Sequence, residues 1–140
     1  GSWANRERLR ALSGAEAFGL HVTVLACGST TDDGHAAAER ALAAGGTALV
    51  AYNDFVALGL LSRLAELGVR VPDAISLTGF DEIDLARFSS PPLTTVAVPR
   101  SGLGRAAARS LVRLMDGEVE GAFDALPVEL HVRGSTSAPS

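Results

Sequence analysis

Short apolar segments alternate with amphipathic segments along most of the chain. The apolar segments have the β-branched content and the bounding turn residues that are typical of strands. The predicted strands are residues 21–26 (HVTVLA), 47–52 (TALVAY), 75–80 (ISLTGF), 94–98 (TTVAV) and 128–132 (VELHV). The predicted helices are residues 6–18, 33–44, 55–67 and 105–115. Strands that alternate with helices in this way predict βαβ units in a mostly parallel sheet.

The two ends of the chain do not follow this pattern. The chain opens in a helix with no strand before it, whereas the first helix of an α/β domain needs a sheet to pack on. We therefore expect either an unusual start or a chain that is part of a longer one. At the other end, residues 134–140 (GSTSAPS) predict a loose polar tail.

Composition narrows the class of protein. With 140 residues, of which 47% are hydrophobic and 20% charged, the chain is long enough to bury the core of one globular domain. The apolar stretches fall short of the ~20 residues needed to span a bilayer, and the start has no apolar signal core. We therefore expect a cytoplasmic protein with no membrane partner.

Charge and cysteine content argue against several kinds of site. A net charge of −4 and a pI of about 5.3 are unfavourable for direct contact with nucleic-acid phosphates. The single cysteine, Cys27, allows no internal disulfide, and we expect it to be a small buried residue. No Cys/His spacing resembles a metal site, so we expect neither a metal nor another cofactor.

Polar residues follow three of the predicted strands at the point where each strand ends. Residues 27–33 (CGSTTDD) come after the first strand, Asn53 and Asp54 after the second, and residues 81–84 (DEID) after the third. Ligands of open parallel sheets bind just beyond the carboxyl ends of the strands. The sequence therefore predicts a ligand site at this edge of the sheet.

Each of these polar residues also has a structural explanation. Asp54 is expected to be the N-cap of the following helix rather than a ligand contact. Asn53 then has a free side chain, which either contacts the ligand, the interpretation we favour, or belongs to a plain turn. Asp81 either binds the ligand or caps the next short segment, and both explanations stay open. Asp32 and Asp33 are expected to cap their own helix.

Two cations lie where a helix disfavours them. Arg6 and Arg8 fall in the first turn of the predicted helix at residues 6–18, where the helix dipole is positive. Either a nearby partner compensates their charge or both side chains are solvated.

Three sequence segments resemble the lactose-repressor/galactose-repressor (LacI/GalR) family of bacterial transcription regulators. They are AYNDFVALG from residue 51, LAELGVRVPDAISLTGFDEID from residue 64 and FSSPPLTTVAVP from residue 88. They follow the family pattern in order and with matching spacing, and RERLRAL near the start is a weaker match. The resemblance implies a periplasmic-binding-protein-like α/β fold, in which a mostly parallel sheet is flanked by helices and part of a two-lobed structure is present.

The resemblance also implies a division of the chain. Residues 1–93 would form the carboxyl-terminal lobe of an effector-binding domain, with the first strand of that lobe missing. Residues 94–121 would be a crossover strand and helix that belong to the amino-terminal lobe of the intact fold. Residues 122–140 would hold the return strand and the polar tail.

The family's effector is commonly a sugar or a sugar derivative, and the resemblance assigns residues to it. The implied effector-binding residues are Asn53, Asp81, Arg8, Phe80, Ser29 and Thr30. Ser29 or Thr30 stands where the family often places an aromatic ring against the ligand, which leaves the ring-stacking partner open. The implied contacts of a homodimer are Phe55, Leu58, Arg87 and Phe88. Operator DNA would be bound only through an amino-terminal domain that is absent from this sequence.

Two other functions compete with effector sensing in a regulator. A periplasmic sugar-binding protein of a transporter shares the two-lobed architecture, but it predicts a signal peptide in the full gene. An enzyme could use the acids of the sheet edge to hold Mg²⁺. The sequence has no phosphate-binding loop and no candidate nucleophile paired with a base, so we expect no enzymatic activity.

Overall fold

The computed structural model describes residues 3–118 and 125–138. The helices are α1 (Trp3–Ser13), α2 (Thr31–Ala43), α3 (Asp54–Glu66), α4 (Asp84–Phe88) and α5 (Arg100–Met115), and a short 3-10 helix, Gly14–Phe18, follows α1. The strands are β1 (Ala48–Val50), β2 (Ser76–Asp81), β3 (Thr94–Ala97) and β4 (Glu129–His131). The four predicted helices and four of the five predicted strands are present, with shifted ends.

The strands form one sheet in the order β1-β2-β3-β4. β1 pairs with β2 and β2 with β3 in parallel, whereas β4 runs antiparallel to β3. Leu49 lies opposite Leu77, and Gly79 lies opposite Thr95. The prediction of a mostly parallel sheet flanked by helices is therefore confirmed, and the carboxyl ends of β1 and β2 meet at one edge.

The core lies where α3 packs on the sheet and α2 packs on α3. Leu64, Leu77 and Leu93 are fully buried. The two helices approach closely because a glycine faces the partner backbone in each of them. A Cβ on Gly34 would lie 2.1 Å from the Val56 carbonyl oxygen, and a Cβ on Gly59 would lie 2.0 Å from the carbonyl oxygen of α2's first residue. The α2–α3 pair therefore forms a tight layer behind the strand ends.

The predicted strand at residues 21–26 is wrong. This segment forms neither helix nor strand, and Val24 is 60% exposed. A strand forms where a neighbour takes up its backbone hydrogen bonds, and the described residues place no strand beside this segment. The Ala26 carbonyl oxygen instead accepts a bond of 2.9 Å from Arg40 Nη2. Cys27 is exposed rather than buried, because it directly follows this segment and lies outside the core.

The predicted loose tail is ordered over residues 134–138, whereas residues 139–140 lie outside the described residues. Ser135 is fully buried. Its hydroxyl accepts a hydrogen bond of 2.8 Å from the Thr94 backbone N–H and donates one of 2.6 Å to the Leu77 carbonyl oxygen. The tail therefore crosses the amino-terminal half of β2 and β3 and ties the two strands together.

The resemblance assigns residues 94–121 to a crossover. The strand of this segment belongs to the sheet, whereas its helix is exposed. β3 is paired with β2, so residues 94–97 belong to the same sheet as the preceding strands. α5 buries none of its residues and exposes the apolar side chains of Leu103, Leu111 and Met115. Residues 119–124, which fall in the expected crossover and return, lie outside the described residues.

The sequence predicted Asp54 as the N-cap of α3, and this prediction is wrong. Asn53 takes that position, and Asp54 is the first residue of the helix. The Asp54 carboxylate is fully buried, where Oδ2 accepts a bond of 2.8 Å from the Ile83 backbone N–H and Oδ1 one of 2.5 Å from the Thr95 hydroxyl. These two donors and the α3 amino terminus stabilise its charge. Asp54 therefore joins α3, β3 and the turn after β2.

We expect Asp54→Ala to lower the free energy of unfolding by about 3 kcal/mol, because it leaves two buried donors without an acceptor. Chemical denaturation monitored by circular dichroism measures the change. Asp32→Ala removes an exposed acid from the first turn of α2 and is expected to change stability by less than about 0.5 kcal/mol. Equal effects of the two substitutions would contradict a bridging role for Asp54.

Candidate functional site

The carboxyl ends of β1 and β2 bring together five of the six residues that the sequence assigned to a ligand. Asn53 follows β1, Phe80 and Asp81 end β2, and Arg8 reaches the same edge from α1. Ser29 joins them through its carbonyl oxygen, which accepts a hydrogen bond of 3.0 Å from Asn53 Nδ2. The sixth residue, Thr30, is the N-cap of α2.

Arg8 lies between two aromatic rings. Its guanidinium carbon is 4.8 Å from the centroid of the Tyr52 ring and 4.3 Å from that of the Phe80 ring. Nη1 donates a hydrogen bond of 2.7 Å to the Tyr52 carbonyl oxygen. Of the two alternatives for Arg8, a nearby partner is therefore the one observed, although α1 begins at Trp3 and places Arg8 beyond the first turn. The contact fixes a guanidinium that still has N–H groups to donate, since Arg has five.

Tyr52 was missed by the sequence reasoning. Tyr52 is partly exposed, and its ring lies against the Arg8 guanidinium. An aromatic residue directly before the Asn-Asp pair at a strand end was the available signal. Tyr52 therefore adds an aromatic ring to this edge of the sheet, beside Arg8.

The sequence predicted a free side chain for Asn53, and this prediction is wrong. Its Oδ1 accepts a bond of 2.9 Å from the Val56 backbone N–H and so caps α3, while its Nδ2 donates to the Ser29 carbonyl oxygen. An amide NH₂ has two donors, and one of them is used here. Asn53 therefore offers a ligand one fixed N–H.

Thr30 and Asp33 form the capping box of α2. The Asp33 backbone N–H donates to Thr30 Oγ1 at 3.2 Å, and Asp33 Oδ2 accepts from the Thr30 backbone N–H and the Thr30 hydroxyl. The backbone N–H of Thr30, followed by its hydroxyl, lowers the pKa of Asp33. Asp33 therefore takes part in the cap of its helix as predicted, whereas Thr30 rather than Asp32 is the N-cap residue. Because the Thr30 hydroxyl both donates and accepts in this cap, Ser29 is the better placed of the two hydroxyls for a ligand.

Asp81 is a partly buried carboxylate at the end of β2. Burial raises its pKa above the ordinary value, the nearby Asp54 carboxylate raises it further, and the positive charges of Arg8 and Arg100 lower it. Within the described part of the chain, no backbone or side-chain group hydrogen-bonds to the Asp81 carboxylate. Both of its oxygens therefore remain available as acceptors.

The turn after Asp81 adopts an uncommon backbone conformation. Asp81 has φ +107° and Glu82 has φ +53°, in the region that favours glycine. The Glu82 carboxylate accepts bonds from Arg133 Nη2 at 2.6 Å and Nη1 at 3.0 Å. Arg133, and then His131, lowers the pKa of Glu82. Sequence reasoning missed Arg133, because it is 51 positions away in the chain.

Other kinds of site find less support in the described residues. None of their His, Cys, Asp and Glu side chains form a group of three or more that could hold a metal ion. No helix in residues 3–118 or 125–138 is long and apolar enough to cross a membrane. A shallow depression of about 300 Å³ lies near the amino end of β2, lined by Leu61, Val69 and Pro91 among others, away from the polar strand ends.

The site presents hydrogen-bonding groups on one open face. Asp81 accepts, whereas Arg8 and Asn53 donate, and the two rings beside Arg8 supply an apolar wall. A carboxylate with neighbouring donors complements adjacent hydroxyl groups, which donate and accept at once. The geometry therefore suits a small polyhydroxylated molecule.

Comparison with known proteins identifies the family. Residues 1–136 match the model of the periplasmic binding protein-like domain. The chain is 45% identical over 93 residues to the HTH-type transcriptional repressor CytR of Escherichia coli K12, an alignment that covers 66% of this chain and 27% of CytR.

Two solved structures share the fold. The transcription regulator CcpA of Lactococcus lactis matches with a TM-score of 0.88 and 31% identity, over 97% of this chain and 52% of that one. A LacI-family transcriptional regulator from Enterococcus faecalis V583 with bound ribose matches with a TM-score of 0.85 and 32% identity, over 94% of this chain and 49% of that one.

The chain thus spans about a quarter of the length of the curated relatives it matches and about half of the solved chains. These relatives are transcription regulators rather than transport proteins, which confirms the resemblance drawn from the strand-end motifs. The chain belongs to the periplasmic binding protein-like domain family, and its relatives are LacI-family transcription regulators.

Proposed function

We propose that this chain is the effector-sensing part of a DNA-binding transcription regulator, and that a sugar or sugar derivative binds at the carboxyl ends of β1 and β2. The observation that carries the proposal is the Asp81 carboxylate, which is partly buried and has no hydrogen-bond partner among the described residues. The Arg8 guanidinium lies near it, held between Tyr52 and Phe80.

The energetics suit reversible sensing. Hydrogen bonds to charged groups contribute ~1.5–3 kcal/mol each. Two such bonds from Asp81, one or two from Arg8 and the remaining N–H of Asn53 approach the ~8 kcal/mol of a micromolar complex when water is excluded. Contact with the Tyr52 ring adds apolar burial. An effector of this affinity can exchange as its concentration changes.

The relatives support the same function. The neighbour from Enterococcus faecalis carries bound ribose, and CytR is a transcriptional repressor. In this proposal the protein is cytoplasmic and has no enzymatic activity. It binds operator DNA through a separate helix-turn-helix domain, consistent with the net charge of −4 of this chain.

The second lobe of the sensor is proposed to begin after β3. α5 exposes Leu103, Leu111 and Met115, an apolar face suited to packing on a further layer of structure. An effector that contacts both lobes would favour one relative orientation of them and so change the spacing of two DNA-reading domains in a dimer.

The dimer is proposed to use the surface of α3 and α4. Phe88 is 79% exposed at the end of α4, and Phe55 is partly exposed at the start of α3. Leu58 packs partly against the core, and Arg87 Nη2 bonds to Asp84 at 3.1 Å within α4. Large exposed aromatic residues with a polar rim are typical of interface centres.

A thermal-shift screen of the full product of the gene tests the effector site. We expect at least one compound among sugars, sugar phosphates, polyols and nucleosides to raise the melting temperature, because it binds the folded state only. Asp81→Asn is expected to abolish this rise, since it removes the charged acceptor. Asn53→Asp is expected to reduce it, since Asp keeps the α3 cap but donates no hydrogen bond.

Asp84→Asn is the matched control, because Asp84 is an exposed acid three residues from Asp81. A rise in melting temperature that survives in the Asp81→Asn variant would place the effector elsewhere. A rise lost in the Asp84→Asn variant would point to general charge effects.

Effector affinity is expected to fall as the pH is lowered through a range above 3.8, the ordinary pKa of Asp. Burial and Asp54 raise the pKa of Asp81 by more than Arg8 and Arg100 lower it. Protonation therefore removes the charged acceptor at a higher pH than in a solvated Asp. Because its pKa is raised by folding, Asp81 binds a proton more readily in the folded state than in the unfolded state. Its contribution to the free energy of unfolding therefore rises as the pH falls, whereas the effector affinity falls.

Isothermal titration calorimetry of the wild type and of the Asp81→Asn variant across this pH range measures the effector affinity separately from the change in stability. The difference in affinity between them is expected to shrink as the pH falls. A constant difference would show that Asp81 does not bind the effector in its charged form.

Phe88→Glu is expected to convert a dimer of the full gene product to monomers, because it places a charge in the proposed apolar contact. Analytical ultracentrifugation measures the change. Phe18→Glu is the control, since Phe18 is 86% exposed but lies outside this surface. An unchanged dimer in the Phe88→Glu variant, or equal dissociation in both variants, would contradict the proposed interface.

A further inference from the structure

The backbone that carries Asp81 is held in a conformation that its own residue types disfavour. Asp81 and Glu82 both have positive φ, at +107° and +53°. Left-handed φ at a non-glycine residue is unfavourable and persists where surrounding contacts impose it. Contacts from outside the turn must therefore hold it.

Three groups from different elements make those contacts. The Ile83 backbone N–H donates to Asp54 at 2.8 Å, and Arg100 Nη2 donates to the Glu82 carbonyl oxygen at 3.0 Å. Arg133 contributes the two-pronged bond to the Glu82 carboxylate. Of the three, the contact with Arg133 holds the Glu82 side chain itself, and His131 Nδ1 lies 3.3 Å from the same carboxylate.

The Glu82–Arg133 pair is well placed to act on the turn. Both side chains are largely buried, with 17% of Arg133 and 18% of Glu82 exposed. Arg133 Nη1 also donates to the Leu93 carbonyl oxygen at 2.8 Å, and the Arg133 backbone N–H donates to Thr94 Oγ1 at 2.9 Å. The guanidinium is therefore fixed to the start of β3 by contacts that do not involve Glu82.

We propose that the Glu82–Arg133 ion pair positions the Asp81 carboxylate for the effector. Glu82 follows Asp81 directly. A rotation of the backbone here to negative φ would therefore turn the Asp81 carboxylate away from Arg8. The inference rests on the proposed function of Asp81, and it assigns Glu82 and Arg133 as positioning residues that do not touch the effector.

Arg133→Met tests the pair, because it keeps an unbranched apolar side chain but removes every side-chain donor. One-bond Cα–Hα couplings in the 140-residue chain distinguish positive from negative φ. We expect the couplings of Asp81 and Glu82 to move towards the values of negative φ. In the full gene product, the affinity for D-ribose is expected to fall about tenfold, as for a lost preorganised contact.

Arg63→Met is the matched control. Arg63 also bonds carboxylates, those of Glu39 and Glu66, but on the exposed α2–α3 surface. Its loss is expected to change neither the couplings of the turn nor the affinity. Where Arg133→Met does not fold, Arg133→Lys serves instead, since it keeps the charge but not the two-pronged bond, and a smaller change in the same direction is expected.

A rescue variant separates positioning from simple stabilisation. In Arg133→Met with Glu82→Gly, glycine adopts the positive φ without strain and no carboxylate is left unpaired. We expect the Asp81 coupling and most of the affinity to return, even where the melting temperature stays low. Restored couplings without restored affinity would overturn the inference.

The remaining outcomes are also decisive. Couplings of the turn that do not change in Arg133→Met, or in Arg133→Lys where it is used, would overturn the positioning role, whatever the affinity does. Wild-type protein that binds neither D-ribose nor any compound of the thermal-shift screen would contradict the proposed function. The couplings would then still decide whether the ion pair holds the turn.

Discussion

The buried carboxylate of Asp54 is the contact on which the rest of this architecture depends. It accepts hydrogen bonds from Thr95 in β3 and from the backbone of Ile83 after β2, while it starts α3 itself. A Cβ at Gly79 would lie 2.1 Å from its Oδ1, so β2 passes this carboxylate at a distance that a side chain would obstruct. The relative position of one helix and two strands is therefore set by a single charged group.

The site is built from residues that also complete the secondary structure. Asn53 caps α3 and holds the Ser29 carbonyl oxygen, and the Thr30 hydroxyl is used in the α2 cap. Such groups lie at fixed positions because backbone hydrogen bonds hold them, which reduces the entropy lost on binding. The same bonds limit what each group can offer, so Asn53 has one N–H for a ligand and Asp81 has two oxygens.

Periodicity and strand-end polarity were sufficient to predict α1, α2, α3 and α5, four strands and the edge of the sheet that carries the polar residues, but not the short helix α4. They failed where a tertiary contact decides the outcome. Residues 21–26 have strand composition but no neighbouring strand, and Ser135 lies in a polar segment that is buried by hydrogen bonds to distant strands. Asp54 and Asn53 exchanged roles because either residue is a good cap, and only burial distinguishes them.

The position of Asp54 has a consequence for Asp81, since the two acids are close enough for one charge to raise the pKa of the other. The fold needs the first carboxylate for its own packing. Burial and then the Asp54 charge raise the pKa of Asp81, whereas Arg8 and Arg100 lower it. Arg8 in turn is held by two aromatic rings rather than by an acid. No acid among the described residues forms a salt bridge with Arg8, so its guanidinium remains available to Asp81 and to a polar ligand.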